Sequence, residues 1–291
     1  MKVVFHIGAH CTDEDRLIKS LLKNRASLSK SGIIVPGPSR YRNLIRQTIQ
    51  SLDGSVITIE TQEALLDAIV DEDNVERLIL SNENFLSFPN WIFGGQSLYS
   101  VAGERIQKLA GLFSGAESEI FLSIRNPATF IPAVYTRTKD ISFADYLRGV
   151  NPYTVSWAQI VTSVRQSNPD KRLVVWCNED TPMIWTQLLH VITGVNAPFS
   201  FEGQFDLLAE IMTREGLQRY VSYLKTHPPQ DEVQASRIIT AFLDKFAVEE
   251  KVEEELDAPG WTFELVERIT DQYELDIQQI AEMPDVELIE P

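Results

Sequence analysis

The stretch Val3-Val4-Phe5-His6-Ile7-Gly8-Ala9-His10-Cys11-Thr12-Asp13-Glu14-Asp15 decides how the chain is read. An apolar, β-branched run meets a single glycine and then a long segment of helical period, Asp13 to Ser31, with Leu17, Leu21, Leu22 and Leu28 on one stripe. Such a strand, turn and helix is the opening of a βαβ unit. Four further runs read as strands: Gly32 to Val35, Arg77 to Ser81, Glu119 to Ile124 and Arg172 to Cys177. Between them, Tyr41 to Leu52, Thr61 to Val70 and Tyr99 to Phe113 repeat their apolar residues at three and four, as helices do. Strands separated by helices require a mainly parallel sheet covered on both faces, so the fold class is α/β, a three-layer sandwich. Beyond Gly194 the pattern is helical only, over Leu217 to Thr226, Glu232 to Val248 and Thr262 to Met283. This divides the chain into an α/β core, residues 1–200, and an acidic helical C-terminal extension, residues 201–291, packed on it.

Charge narrows the partners. The 291 residues hold 26 basic and 42 acidic side chains, a net charge of −16, which repels polyphosphates and argues against nucleic acid. The excess is local: residues 231–291 carry 18 acids and 4 bases, whereas residues 1–230 are nearly balanced, so a small anion remains acceptable to the core. The acidic segment Glu249 to Asp257 reads as a solvated connection between helices. Two cysteines are too few for a disulfide framework, no apolar stretch reaches the roughly 20 residues of a membrane span, and no secretory leader precedes the first strand. A cytoplasmic protein with no membrane span is the expectation. The four histidines and two cysteines have no metal-ligand spacing, so no metal is expected.

Ligands of open parallel sheets collect beyond the carboxyl ends of the strands. A nucleotide-triphosphate loop is excluded there, because the Gly-Lys-Ser/Thr places counted from Gly8 are Asp13, Glu14 and Asp15. A dinucleotide fingerprint fails for want of glycines. Cys11 with Arg16 is one residue short of a cysteine-phosphatase loop. Thr12 and Asp15 have the spacing of a capping box for the first helix.

Phe5-His6-Ile7-Gly8-Ala9, a long helix, and then Gly32-Ile33-Ile34-Val35-Pro36-Gly37 resemble the opening of bacterial sulfotransferase-family proteins, a P-loop-type fold. Ser123-Ile124-Arg125-Asn126-Pro127 is similar to that family's Arg-Asp/Asn-Pro element, and Leu78 to Phe85 to its Ser-x-Glu-x-Phe/Tyr segment. A looser likeness covers Arg172 to Leu189. The resemblance implies transfer of a sulfuryl group from 3′-phosphoadenosine 5′-phosphosulfate (PAPS) to a hydroxyl acceptor, saccharide in class. It places the donor on Gly8, Ala9, Cys11, Thr12 and Arg125, and makes Glu83 the base that takes the acceptor proton. The chain departs from the pattern at four loop positions: Cys11 stands where the family has lysine, and Asp13, Glu14 and Asp15 follow. Ala133 replaces the hydroxyl eight residues after Arg125, with Thr129 one turn earlier as its substitute. His10, in the loop, is the candidate to supply the missing positive charge, while His6 reads as a hydrogen-bonded interior residue. The alternative is a catalytically inactive member of the fold serving as a binding or assembly module. Arg40, Arg42 and Arg46 read as the solvated face of a helix, and the five tryptophans mostly as core, with Trp91 the one suited to an acceptor groove.

Overall fold

The structure, a computed structural model, describes every residue except 96, 139, 196–198 and 253–257. Its centre is a six-stranded sheet made of β1 (Lys2–His6), β2 (Ile33–Ile34), β3 (Arg77–Ser81), β6 (Glu117–Ile124), β7 (Arg172–Cys177) and β8 (Val286–Ile289), in the order β2-β3-β1-β6-β7-β8. Every neighbouring pair is parallel, with Val3 opposite Leu78 on one side of β1 and Ser118 on the other. A separate antiparallel hairpin joins β4 (Phe93–Gly94) to β5 (Ser97–Leu98).

Alternation along the strands explains the layers. Val3, Phe5, Leu78, Leu80, Ile120, Leu122, Leu173 and Val175 face one side, where helices Pro38–Leu52, Ile59–Ile69, Ala102–Gly111, Pro127–Thr136, Trp157–Ser167 and Phe263–Ala281 cover them. Val4, Ile79, Phe121, Val174 and Trp176 face the other, under Arg16–Lys23, Arg25–Ser29 and Thr181–Thr193. The chain is therefore the three-layer α/β sandwich that the period of its apolar runs requires. Helices Arg214–Thr226 and Glu232–Phe246 form a smaller cluster of their own with Leu208, Met212, Tyr220 and Ile239.

Two expectations are corrected. The single helix expected from Asp13 to Ser31 is broken at Asn24, whose side chain bonds both the amide and the carbonyl of Glu202 and the carbonyl of Ser20 at 2.8–2.9 Å, holding the chain in a turn. The reading of helices alone beyond Gly194 also fails, because β8 pairs with β7 from Val286 opposite Leu173 to Ile289 opposite Trp176. As an edge strand it buries only Ile289 and exposes Glu287, so it lacks the continuous apolar run of a central parallel strand.

The C-terminal helix Phe263–Ala281 is tied to the core by a buried carboxylate. Asp276 accepts from the amide of Trp157 at 2.6 Å and from the Ser156 hydroxyl at 2.9 Å, satisfying the start of helix Trp157–Ser167 from outside. Of the acidic connection, Glu249–Val252 is a short helix and residues 253–257 lie outside the described residues. Among the described residues no helix is long and apolar enough to cross a membrane.

Candidate functional site

The helix after β1 lies on one face of the sheet and the helix after β6 on the other, although the two strands are neighbours. Their following loops diverge and leave a crevice, the place where open α/β sheets hold ligands. A cleft of about 610 Å³ occupies it, lined by Cys11, Thr12, Asp13 and Glu14 from the first turn, Ser123, Arg125, Asn126 and Thr129 from the second, and Trp176, Asn178, Thr181 and Trp185 beyond β7. A smaller hollow of about 200 Å³ continues over Gly8 and Ala9 to Asn82, Glu83 and Arg42.

The first turn is built around Gly8. Its φ of +98° suits glycine, and a Cβ there would stand 3.2 Å from both Cα and Cβ of Glu83. The missing side chain is what lets the end of β3 approach the loop. The amide of Ala9 donates to the carbonyl of Ser123 at 2.7 Å, and the amide of Ser123 to that of Gly8 at 2.6 Å, so the turn is laced to the end of β6. The expected capping box does not form. Thr12 instead donates its hydroxyl to the Ala9 carbonyl at 2.8 Å, and the cap is Asp13, whose Oδ1 accepts from the Leu17 amide at 2.8 Å. Cys11, Glu14 and Asp15 all have positive φ, of 55°, 50° and 64°, a run of left-handed conformations that turns backbone N–H groups into a concavity suited to anions. Among the described residues the amides of Cys11, Thr12, Glu14 and Asp15 make no hydrogen bond of normal geometry, while His10 to Thr12 form a hydrogen-bonded turn.

At the second turn Asn126 caps helix Pro127–Thr136, accepting from the Ala128 amide at 2.9 Å, with Pro127 at the first helical position. The Asn126 amide donates to Glu179 at 2.8 Å, and the Arg125 carbonyl accepts from the Trp157 indole at 2.7 Å. These bonds fix the side chain of Arg125, which donates through Nε to Thr129 Oγ1 at 3.0 Å and through Nη1 to the Cys11 carbonyl at 2.5 Å. The structure thus brings Arg125, Thr129, Cys11 and Thr12 to one wall of the cleft, with the Ser123 and Thr181 hydroxyls beside them buried and without a partner among the described residues.

Glu83 stands at the end of β3, next to Gly8 in space and paired with Arg137, whose Nη1 lies 3.1 Å from its Oε1. Arg137 Nη2 reaches Glu14 at 3.0 Å. Sequence reasoning missed Arg137, since nothing in its position at the end of helix Pro127–Thr136 marks it as a loop residue. It also missed the role of Arg42, which grips Asp15 with both terminal nitrogens and donates to the Ser81 carbonyl at 3.0 Å. The acids of the first turn are therefore answered from outside the loop. Glu14 meets Arg16 and Arg137, Asp15 meets Arg42, and burial pushes the Asp13 carboxyl up to about 7. Arg40 has the surface role expected of it, pairing with Asp71.

His10 does not supply the missing charge. Its Nδ1 bonds the Tyr99 hydroxyl at 2.7 Å, its Nε2 is buried near Asn84 without a hydrogen bond of normal geometry, and burial lowers its pKa to about 4. A neutral imidazole packed against Tyr99 anchors the loop to the helix side of the sheet. Burial likewise pushes the Cys11 thiol up to about 11, which rules it out as a thiolate nucleophile at neutral pH. His6 is the interior residue expected, bonded to Ser81 at 2.9 Å. Of the tryptophans, Trp91 alone is strongly exposed, under the guanidinium of Arg148 at 4.1 Å. Comparison with known families and with curated proteins finds no match.

Proposed function

We propose that this protein binds a 3′-phosphoadenosine nucleotide in the crevice beyond β1 and β6 and moves the sulfuryl group of PAPS to a hydroxyl of a saccharide acceptor. One observation carries the reading: the Gly8–Thr12 turn, the Arg125–Thr129 pair and Glu83, far apart in sequence, line two adjoining hollows that share Asp13 and Glu14 at the carboxyl edge of the sheet. The amides of Cys11, Thr12, Glu14 and Asp15 hold the 5′-phosphosulfate, as loop amides before a helix do for anions. Arg125 and Thr129 hold the 3′-phosphate, and Trp176 and Trp185 give the adenine an apolar wall. Glu83 takes the proton of the acceptor hydroxyl as its oxygen bonds sulfur in line. The bond from sulfur to the phosphate oxygen breaks, and the charge on the departing 3′-phosphoadenosine 5′-phosphate falls on the loop amides and Arg137. Arg137 stands in for the loop lysine: three arginines, at 16, 42 and 137, offset the carboxylates of Glu14, Asp15 and Glu83.

Thermal-shift titration with 3′-phosphoadenosine 5′-phosphate tests the site. Binding at one hundred times Kd stabilises the fold by about 2.7 kcal/mol, and Arg125→Ala should abolish that shift while leaving the near-ultraviolet circular dichroism of the unliganded protein intact. A shift unaffected by Arg125→Ala refutes the site. No shift at millimolar nucleotide, or binding without turnover, returns the chain to the non-catalytic reading.

Affinity should also depend on pH through Asp13. With its pKa at about 7, the carboxyl is neutral below and charged above that point, so an anion in the loop is repelled more at pH 8 than at pH 6.5. By linkage, nucleotide binding then takes up a proton. Calorimetric titration in two buffers of different ionisation enthalpy measures this uptake. Asp13→Asn should remove it, and uptake that persists in the variant would sink the assignment.

A further inference from the structure

A second cavity, of about 520 Å³, lies on the other side of Asn82 and Asn84, between helices Pro38–Leu52 and Ala102–Gly111. Its volume is that of a small-molecule site, and its lining differs in kind from the rest of the molecule. Arg42, Arg46, Arg105 and Lys108 line it and, among the described residues, no carboxylate does, in a chain whose net charge is −16. Arg42 is committed to Asp15. The other three have no carboxylate within salt-bridge distance among the described residues.

Arg105 is the informative one. It is partly buried, its guanidinium donates to the carbonyls of Asn84 at 2.9 Å and Phe85 at 3.3 Å, and it lies over the Phe88 ring at 5.0 Å. Carbonyl dipoles orient this cation without neutralising it, and burial holds its pKa below the ordinary arginine value. A cation fixed in that way beside an apolar wall is completed by an anion. The wall is supplied by Ile45, Ile49, Phe85, Phe88 and Leu109, which a purely inorganic ion would leave uncovered.

We infer that this cavity is a binding site for a small amphiphilic anion, one acidic head on an aromatic or aliphatic body, with the head on Arg105, Arg46 and Lys108 and the body against Phe85, Phe88 and Ile49. The inference stands apart from sulfuryl transfer: the cavity shares Arg42, Asn82 and Asn84 with the hollow over Gly8, but the residues assigned to head and body line neither that hollow nor the cleft beyond β1 and β6.

The probe is 1-anilinonaphthalene-8-sulfonate, compared with N-phenyl-1-naphthylamine, which has the same aromatic body and no charge. Fluorescence titration of the full chain should give a saturable one-to-one complex with the sulfonate and binding at least about tenfold weaker for the neutral compound, the ratio that a single good charge contact supplies. Arg46→Glu with Lys108→Glu, both on exposed positions, should weaken the sulfonate by a similar factor and leave the neutral compound unchanged, whereas Arg125→Ala should alter neither. Arg105→Gln should weaken the sulfonate as well, with an unchanged melting temperature as its control. Equal affinity for the two compounds, or sulfonate binding indifferent to the double charge reversal, overturns the inference. Because the Arg125→Ala variant reports on the nucleotide cleft alone, loss of one reading leaves the other standing.

Discussion

Glu83→Gln is expected to lower sulfuryl transfer by roughly 10²- to 10⁴-fold, the range over which a positioned general base contributes, with nucleotide affinity unchanged. The amide keeps the shape of the side chain and its contact with Gly8, and removes the capacity to take a proton together with the charge that pairs with Arg137. Arg137→Ala should behave differently. Its guanidinium holds Glu83 and Glu14 at once, at 3.1 Å and 3.0 Å, so its loss leaves two carboxylates without their shared cation, beside the amides that receive the departing phosphate. Both nucleotide affinity and turnover should then fall, turnover by about 10²- to 10³-fold, as when one donor to a developing charge is removed. Arg137→Lys should recover part of both, since a single ammonium can reach one carboxylate but not bridge two. Steady-state kinetics with PAPS and a panel of saccharide acceptors separates the cases. A Glu83→Gln variant as active as the parent would remove the base from the mechanism, and an Arg137→Ala variant with an intact profile would return the missing lysine to being an unfilled gap.

The sequence made the strands legible where burial forces a continuous apolar run, as at Val3 to Ile7 and Arg77 to Ser81, and hid β8, whose edge position lets Glu287 alternate with apolar neighbours. The same distinction runs through the site. Gly8, Glu83 and Arg125 each lie at the carboxyl end of a parallel strand, so one-dimensional reading could place them together before their distances were known. The charge balance of the loop was not legible. Counted along the chain, Asp13, Glu14 and Asp15 form a repulsive cluster; in space, Arg42 comes from helix Pro38–Leu52 and Arg137 from beyond helix Pro127–Thr136 to answer two of them. His10 misled for a related reason. A histidine in a ligand loop is available only if its ring faces the ligand, and here the ring turns inward to Tyr99. Orientation at the end of a strand depends on what packs beneath, in this case a tyrosine that follows the β4–β5 hairpin.

Glu119→Ala is expected to destabilise the protein by about 3–5 kcal/mol, the cost of leaving a buried cation without its partner. At the edge of the sheet opposite the cleft, Glu119 is 2% exposed and meets Arg77 at 2.5 Å, Lys2 at 3.2 Å and Arg172 at 3.3 Å. Arg77 is itself buried, and its Nε is spent on the Ile192 carbonyl at 2.9 Å, so it cannot swing to water when the carboxylate is removed. Burial is the largest influence and alone would raise the Glu119 pKa, but the bonded Arg77 guanidinium, Lys2 and Arg172 together outweigh it and hold the carboxyl below its usual range. The pair therefore contributes fully above the unfolded-state value of about 4.3, and its contribution fades as the pH falls through the lower folded value. The double variant Arg77→Met with Glu119→Leu should recover most of the loss, because two apolar side chains of similar volume need no compensation. Denaturant midpoints at constant slope measure both changes. A single variant as stable as the parent would mean that the arginine finds water after all, and nucleotide affinity, set at the far edge of the sheet, should be the same in all three proteins.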